Sequence, residues 1–225
     1  YNRVEGLSLG ALVHQDIGAG YSADLAARIG TADIHPRGEL TIARMDAFRT
    51  ISLGTYERLA VANDWGSPLS FGASVGALLF GVDEGLYYRA TGVELSGRGT
   101  GSAAFSWRVF AERHREAPVE THESLARLGG KRFHDNIAAT RAELLGASAR
   151  FAATLGDDPL GMRGFGDLRL EGATGDLDYA RAMVDATLSV PLFGGWSGAL
   201  TGAGGTSVGV PPVLRVWYLA GGHTG

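Results

Sequence analysis

Apolar and polar side chains alternate with a period of two along most of this chain. That is the pattern of strands with one face toward an apolar medium and the other toward a polar one. Ala19, Tyr21, Ala23, Leu25, Ala27 and Ile29 oppose Ser22, Asp24, Ala26 and Arg28. Ala103, Phe105, Trp107, Val109 and Ala111 oppose Ser106, Arg108 and Glu112. Ala180, Ala182, Val184, Ala186, Leu188 and Val190 oppose Arg181, Asp185, Thr187 and Ser189, while Arg163, Asp167, Arg169 and Glu171 alternate with Leu168 and Leu170. Leu69, Phe71, Ala73, Val75, Ala77 and Leu79 against Ser70, Gly72, Ser74 and Gly76 reads the same way.

The pattern predicts strands over about 2–13, 18–30, 37–48, 50–59, 69–80, 86–97, 102–114, 142–155, 161–172, 177–190 and 194–209, with a last run at 213–219. Arg44 and Asp46 share parity with Leu40 and Ile42, so the third run needs a bulge or a register break. Residues 117–136 carry mixed charges and a Gly-Gly stop and read as a long loop with a helical turn over 120–128.

Many of these runs exceed the ~5–6 residues of an ordinary globular strand and match the ~9–11 needed to cross a bilayer at a tilt. Their apolar parity is rich in Ala, which fills a packed core poorly but is acceptable against acyl chains. If the first strand rises from the periplasm, the 117–136 loop lies on the outer side, where barrels of this kind carry their longer loops.

Composition narrows the reading. Glycine accounts for 35 of 225 residues, about twice the usual share, and cysteine is absent, which removes disulfides, zinc–thiolate sites and thiol catalysis. A net charge of −4 without a basic block argues against nucleic acid as a partner. No run of 18 apolar residues exists for a spanning helix. His114, His122 and His134 lack metal-ligand spacing and read as exposed loop histidines, so no metal and no cofactor is expected. No Gly-x-Ser-x-Gly elbow stands out, and the chain is not expected to be an enzyme. Tyr1, Tyr87, Tyr88, Trp65, Trp107, Trp196, Trp217 and Tyr218 fall mostly near predicted strand ends. Either an interfacial aromatic girdle or plain β-propensity accounts for them.

The final segment carries the most specific motif: Trp217 and Tyr218, then Gly221-Gly222, then Thr224. It resembles the start of the signature loop in the barrel of the bacterial surface-antigen superfamily, which includes the β-barrel assembly factors, the translocation and assembly barrels and the two-partner secretion transporters. Tyr1 to Leu7 also resembles a first barrel strand of that group.

The resemblance implies one outer-membrane barrel domain over residues 1–225, an all-β antiparallel transmembrane β-barrel with about 11 of an expected 16 strands, truncated within the signature loop. It implies a seam strand carrying Asn2, Val4, Gly6, Leu7 and Leu9. Arg108, Glu112, Arg163, Asp167, Arg169, Glu171, Arg181 and Asp185 would line the lumen. The implied role is insertion or translocation of polypeptides at the outer membrane, with the lipid bilayer, unfolded polypeptides and periplasmic domains as partners. A passive channel or receptor barrel and a soluble Gly-rich binding domain are the alternatives.

Overall fold

The computed structural model describes residues 1–62, 69–99, 103–121, 124, 133–158 and 161–216. Ten antiparallel strands form one sheet in simple chain order: β1 (Ser8–Gly18), β2 (Tyr21–Gly30), β3 (Arg37–Met45), β4 (Arg49–Val61), β5 (Tyr87–Gly99), β6 (Ala103–Glu116), β7 (Ala142–Leu155), β8 (Arg163–Gly175), β9 (Tyr179–Pro191) and β10 (Ser197–Gly209). Among the described residues the sheet is not closed: β1 pairs only with β2, and β10 only with β9.

The register keeps the predicted parities together. One row runs Ile42, Leu53, Leu95, Val109 and Ala147, and another, two rows along, runs Phe105, Phe151, Leu168 and Val184, all on one exposed face. The opposite face carries the charges. It is concave, as the adjacent residues Leu214 and Arg215 demonstrate. Leu214 packs with Tyr56 on β4, while the Arg215 carbonyl accepts from Arg181 on β9, 2.7 Å away. On a flat sheet those strands would lie about 24 Å apart, at about 4.8 Å per interval.

Several expectations are corrected. The last run, expected as strand over 213–219, opens instead with a 3-10 turn over Val213–Arg215, and residues 217–219 lie outside the described residues. The run at 69–80 is a helix, α1 (Phe71–Phe80). The Ser70 hydroxyl accepts the Ala73 N–H, and Gly81, in the left-handed region, donates to the Ala77 carbonyl, so both ends are capped. An uncharged Gly/Ala-rich stretch carries no polar face to separate period two from period 3.6.

The first strand begins at Ser8, so of the expected seam residues only Leu9 lies in it. Asn2 and Gly6 close a tight turn instead, bonded N–H to carbonyl in both directions. Val4 is fully buried there against Leu59 and Tyr87. Gly6, at φ +67°, allows the chain to turn from this plug into β1.

β3 needs no bulge because it ends at Met45. Asp46 belongs to the turn, where its Oδ1 accepts the Phe48 and Arg49 N–H groups, and the Phe48 N–H holds its carboxyl below the usual range.

Because one predicted strand is a helix, the ends of the sheet are reassigned. The connections at 19–20, 46–48, 100–102, 156–162 and 192–196 lie at one end, and those at 31–36, 62–86, 117–141 and 176–178 at the other. The N-terminal turn sits at the long-loop end, where the Glu120 and Thr121 N–H groups donate to the Arg3 carbonyl (3.1 and 3.2 Å). A first strand rising from the periplasm and a long loop on the outer side are therefore incompatible. Glu120 and Thr121 are not helical, and most of the helical turn expected over 120–128 falls outside the described residues.

The β1–β2 hairpin is fixed by Gly20 at φ +79°, where a Cβ would come within 2.4 Å of the Met45 carbonyl oxygen. Gly20→Ala should therefore cost more than the ~1 kcal/mol of an ordinary glycine replacement, while Gly18→Ala, with no atom within 4 Å, meets only its positive φ. Denaturant titration of the two variants checks the difference.

Candidate functional site

The concave face is the candidate site. Its side chains come from the polar parity of β3–β9 and from the segment after β10. Across them runs one chain of alternating charge. Glu39 on β3 pairs with Arg58 on β4 (3.1 Å), Arg58 with Glu94 on β5 (3.6 Å), and Glu94 with Arg108 on β6 (2.7 Å). Arg108 pairs with Glu112 (3.1 Å), Glu112 with Arg215 (2.6 Å), Arg215 with Glu171 on β8 (3.6 Å), and Glu171 with Arg181 on β9 (3.1 Å).

Glu112 is the hub. It is 4% exposed and also accepts the Tyr56 hydroxyl (2.5 Å), and its Oε1 lies 2.5 Å from His114 Nε2. A buried carboxylate is tolerated only when paired and hydrogen-bonded, and here four side chains do so. Arg108 and Arg215 also stand over the Phe110 ring (4.3 and 5.8 Å), and Gly146 leaves the space that ring occupies.

A second cluster flanks the first. Asp167 takes Arg150 Nε (2.5 Å) and Arg169 Nε (3.0 Å), and Arg169 reaches Asp185 (3.2 Å). Arg163 shares this face but is exposed at the end of β8, with no ion pair among the described residues. Seven of the eight residues expected to line a lumen thus meet in two connected networks, and Arg163 does not.

The long-loop end has its own polar plug. Arg3 is fully buried and donates to the Asp83 and Gly85 carbonyls (2.6 and 2.7 Å); burial pulls its guanidinium below the usual range, opposed by Asp83. Glu5 binds Arg28 and Arg37, and Asp33 takes Arg37 and Arg89. Asn136 ties Tyr87 to the carbonyl of Ala117.

Sequence reasoning missed Arg3, Glu5, Glu94, Arg150 and Arg215. Pro211-Pro212 was the available signal for Arg215, since two adjacent residues without an N–H cannot donate to a ladder and mark a break between strands. His114 corrects the expectation of exposed loop histidines: it is fully buried on β6, edge-on to Tyr88. His134 is exposed, with Nε2 2.9 Å from the Asp83 carbonyl. His122 and the signature-loop residues Trp217, Tyr218, Gly221, Gly222 and Thr224 lie outside the described residues. Tyr87 and Tyr88 are buried rather than interfacial, whereas Trp196 is exposed in the β9–β10 connection. Among the described residues no group of three or more His, Asp or Glu side chains is arranged to hold a metal ion.

No family model matches the chain, and no curated protein and no solved structure gives a significant match.

Proposed function

We propose that this sheet is wall of a transmembrane β-barrel in a Gram-negative outer membrane, in a protein that inserts or translocates polypeptides there. The observation that carries the membrane part is the exposed apolar face, which continues across all ten strands. From Leu145 to Leu155 the outward residues of β7 are Leu, Ala, Ala, Phe, Ala and Leu. At about 3.4 Å per residue and a tilt of about 40°, that run spans about 26 Å along a membrane normal, close to the ~25 Å apolar band of such barrels. Toward the long-loop end the same parity becomes Glu57, Thr91, Arg113 and Glu143, a charged rim where water would begin. In water, so large an apolar patch would drive aggregation, which disfavours a soluble binding domain.

The reading requires the outer edges of β1 and β10 to be paired in the membrane, since hydrocarbon offers no partner for their backbone groups. The polypeptide-handling part rests on the signature-loop resemblance and on a lumen face braced by ion pairs and by the inward segment at Leu214 and Arg215. That bracing argues against a passive open channel.

Trp107 is the built-in depth probe, lying outward on β6 between Phe105 and Val109 with its ring over Gly97. With Trp65, Trp196 and Trp217 changed to Phe, its fluorescence in vesicles should be quenched by brominated acyl chains. Absence of quenching, or purification without detergent, would sink the membrane reading. Depletion of the protein from its host should lower the amount of folded outer-membrane proteins. A normal outer-membrane complement after depletion, together with steady conductance of the purified protein, would favour the passive channel.

A further inference from the structure

We infer that the concave face holds a binding site for a phosphate-type oxyanion, in a cavity of about 540 Å³ on the short-turn side of the charge chain. The register builds it. One row across the sheet reads Thr50, Arg98, Ser106, Arg150 and Arg169, on β4 to β8 in order. The adjacent row reads Ser52, Ser96, Arg108, Ser148, Glu171 and Arg181, on β4 to β9. All of these residues line the cavity.

The chemistry of the lining is donor-rich. Its carboxylates are committed: Glu94 to Arg58 and Arg108, Glu171 to Arg181, Arg215 and the Tyr179 hydroxyl. Asp167, behind the row, is shared by Arg150 and Arg169. The cations are less fully used. Arg98 is exposed and has no ion pair among the described residues. The Arg150 side chain is 53% exposed and that of Arg169 34%.

Each guanidinium carries five N–H donors, and Arg150 and Arg169 spend theirs on Asp167 through Nε and on a second contact through Nη2, leaving Nη1 of each for the cavity. Five hydroxyls also line it, of which Ser52 and Ser96 bond each other (2.9 Å). Arg150 and Arg169 also stand directly opposite each other, and the single charge of Asp167 between them offsets only one of the two. A ligand that satisfies this wall must be rich in acceptors and negatively charged, and planar guanidinium groups suit phosphate oxygens in pairs. The cavity lies on the concave face whatever the opposite face meets, so the inference does not depend on the membrane reading.

The phosphate could be free or carried by a lipid headgroup, and one experiment separates them. The full chain in neutral detergent is titrated with inorganic phosphate, followed by phosphorus NMR, and in parallel with micelles doped with phosphatidic acid or with phosphatidylcholine. Saturable binding of inorganic phosphate is expected, weakened roughly tenfold or more by Arg98→Gln or Arg150→Gln and unchanged by Arg113→Gln on the outer rim. Binding of phosphatidic acid alone, with the same dependence on Arg98 and Arg150, would identify a lipid source. On the unsubstituted protein, the probe that binds should also slow phenylglyoxal modification of Arg98 and Arg150, so the site is tested even if a variant misfolds. Absence of saturable binding with both probes, equal affinity in the folded variants, or unchanged modification would overturn the proposal.

Discussion

Leu53→Arg should lower the free energy of folding into lipid vesicles by about 2–4 kcal/mol, the range for a cation at the middle of a barrel's lipid face. Leu53 is 58% exposed and sits in an outward row between Ile42 and Leu95, several residues from either end of β4. Its side chain has little protein to lose, so the loss measures the medium outside the sheet. If that medium is water, an exposed Leu→Arg change stays within about 0.5 kcal/mol and improves solubility.

Two companions calibrate the result. Ala147→Arg, in the same row on β7, should behave like Leu53→Arg, and Thr91→Arg, on the charged rim, should cost no more than about 1 kcal/mol. Urea titrations of folding in vesicles give all three values. Equal, small effects at Leu53 and Thr91 would remove the apolar band as an argument.

The outward face was legible in the sequence because the ladder holds alternate residues on one side of every strand. Most outward positions away from the charged rim are apolar, so period two survived even where Gly and Ala replaced larger residues, as along β9 and β10. The rule failed where no ladder formed. Residues 69–80 alternate by coincidence of small residues, and the better signals were local: a capping Ser70 before the run and Gly81 after it. Asn2 to Gly6 read as the start of a strand over 2–13, yet the Asn2 side-chain oxygen accepts the Val4 and Glu5 N–H groups, the local bonding that makes Asn a turn former.

For the concave face, parity identified which residues share it but not which residues pair. Pairing depends on curvature and on a segment that returns from outside the strands. Arg58 and Arg150 were passed over because each is a single charge on its strand face in sequence, and Glu94 because its strand face carries only Arg98 besides; they gain partners only through the register. Arg215 had no strand to assign it a face.

The largest effect on the site itself is expected at Glu112. Glu112→Ala leaves Arg108, Arg215 and His114 around a buried gap, and removing one member of such a buried pair typically costs about 3–5 kcal/mol. Glu39→Gln, at the exposed end of the same chain of charges, removes a pair whose partners are both partly solvated and should cost about 1 kcal/mol or less.

The contrast separates a braced interior from a merely charged one. If the face were uniformly solvated, both substitutions would be mild. Arg215→Met distinguishes a further step, because Arg215 is what draws the segment after β10 across β6 and β8. Combined with Glu112→Gln it should show a coupling of about 0.5–3 kcal/mol in a double-mutant cycle, the range for groups in one network.

Freed of that tie, the segment should leave the concave face, so Arg215→Met should also raise the conductance of protein reconstituted in planar bilayers. Loss of stability without any gain in conductance would mean that the segment braces the wall without obstructing a path through it.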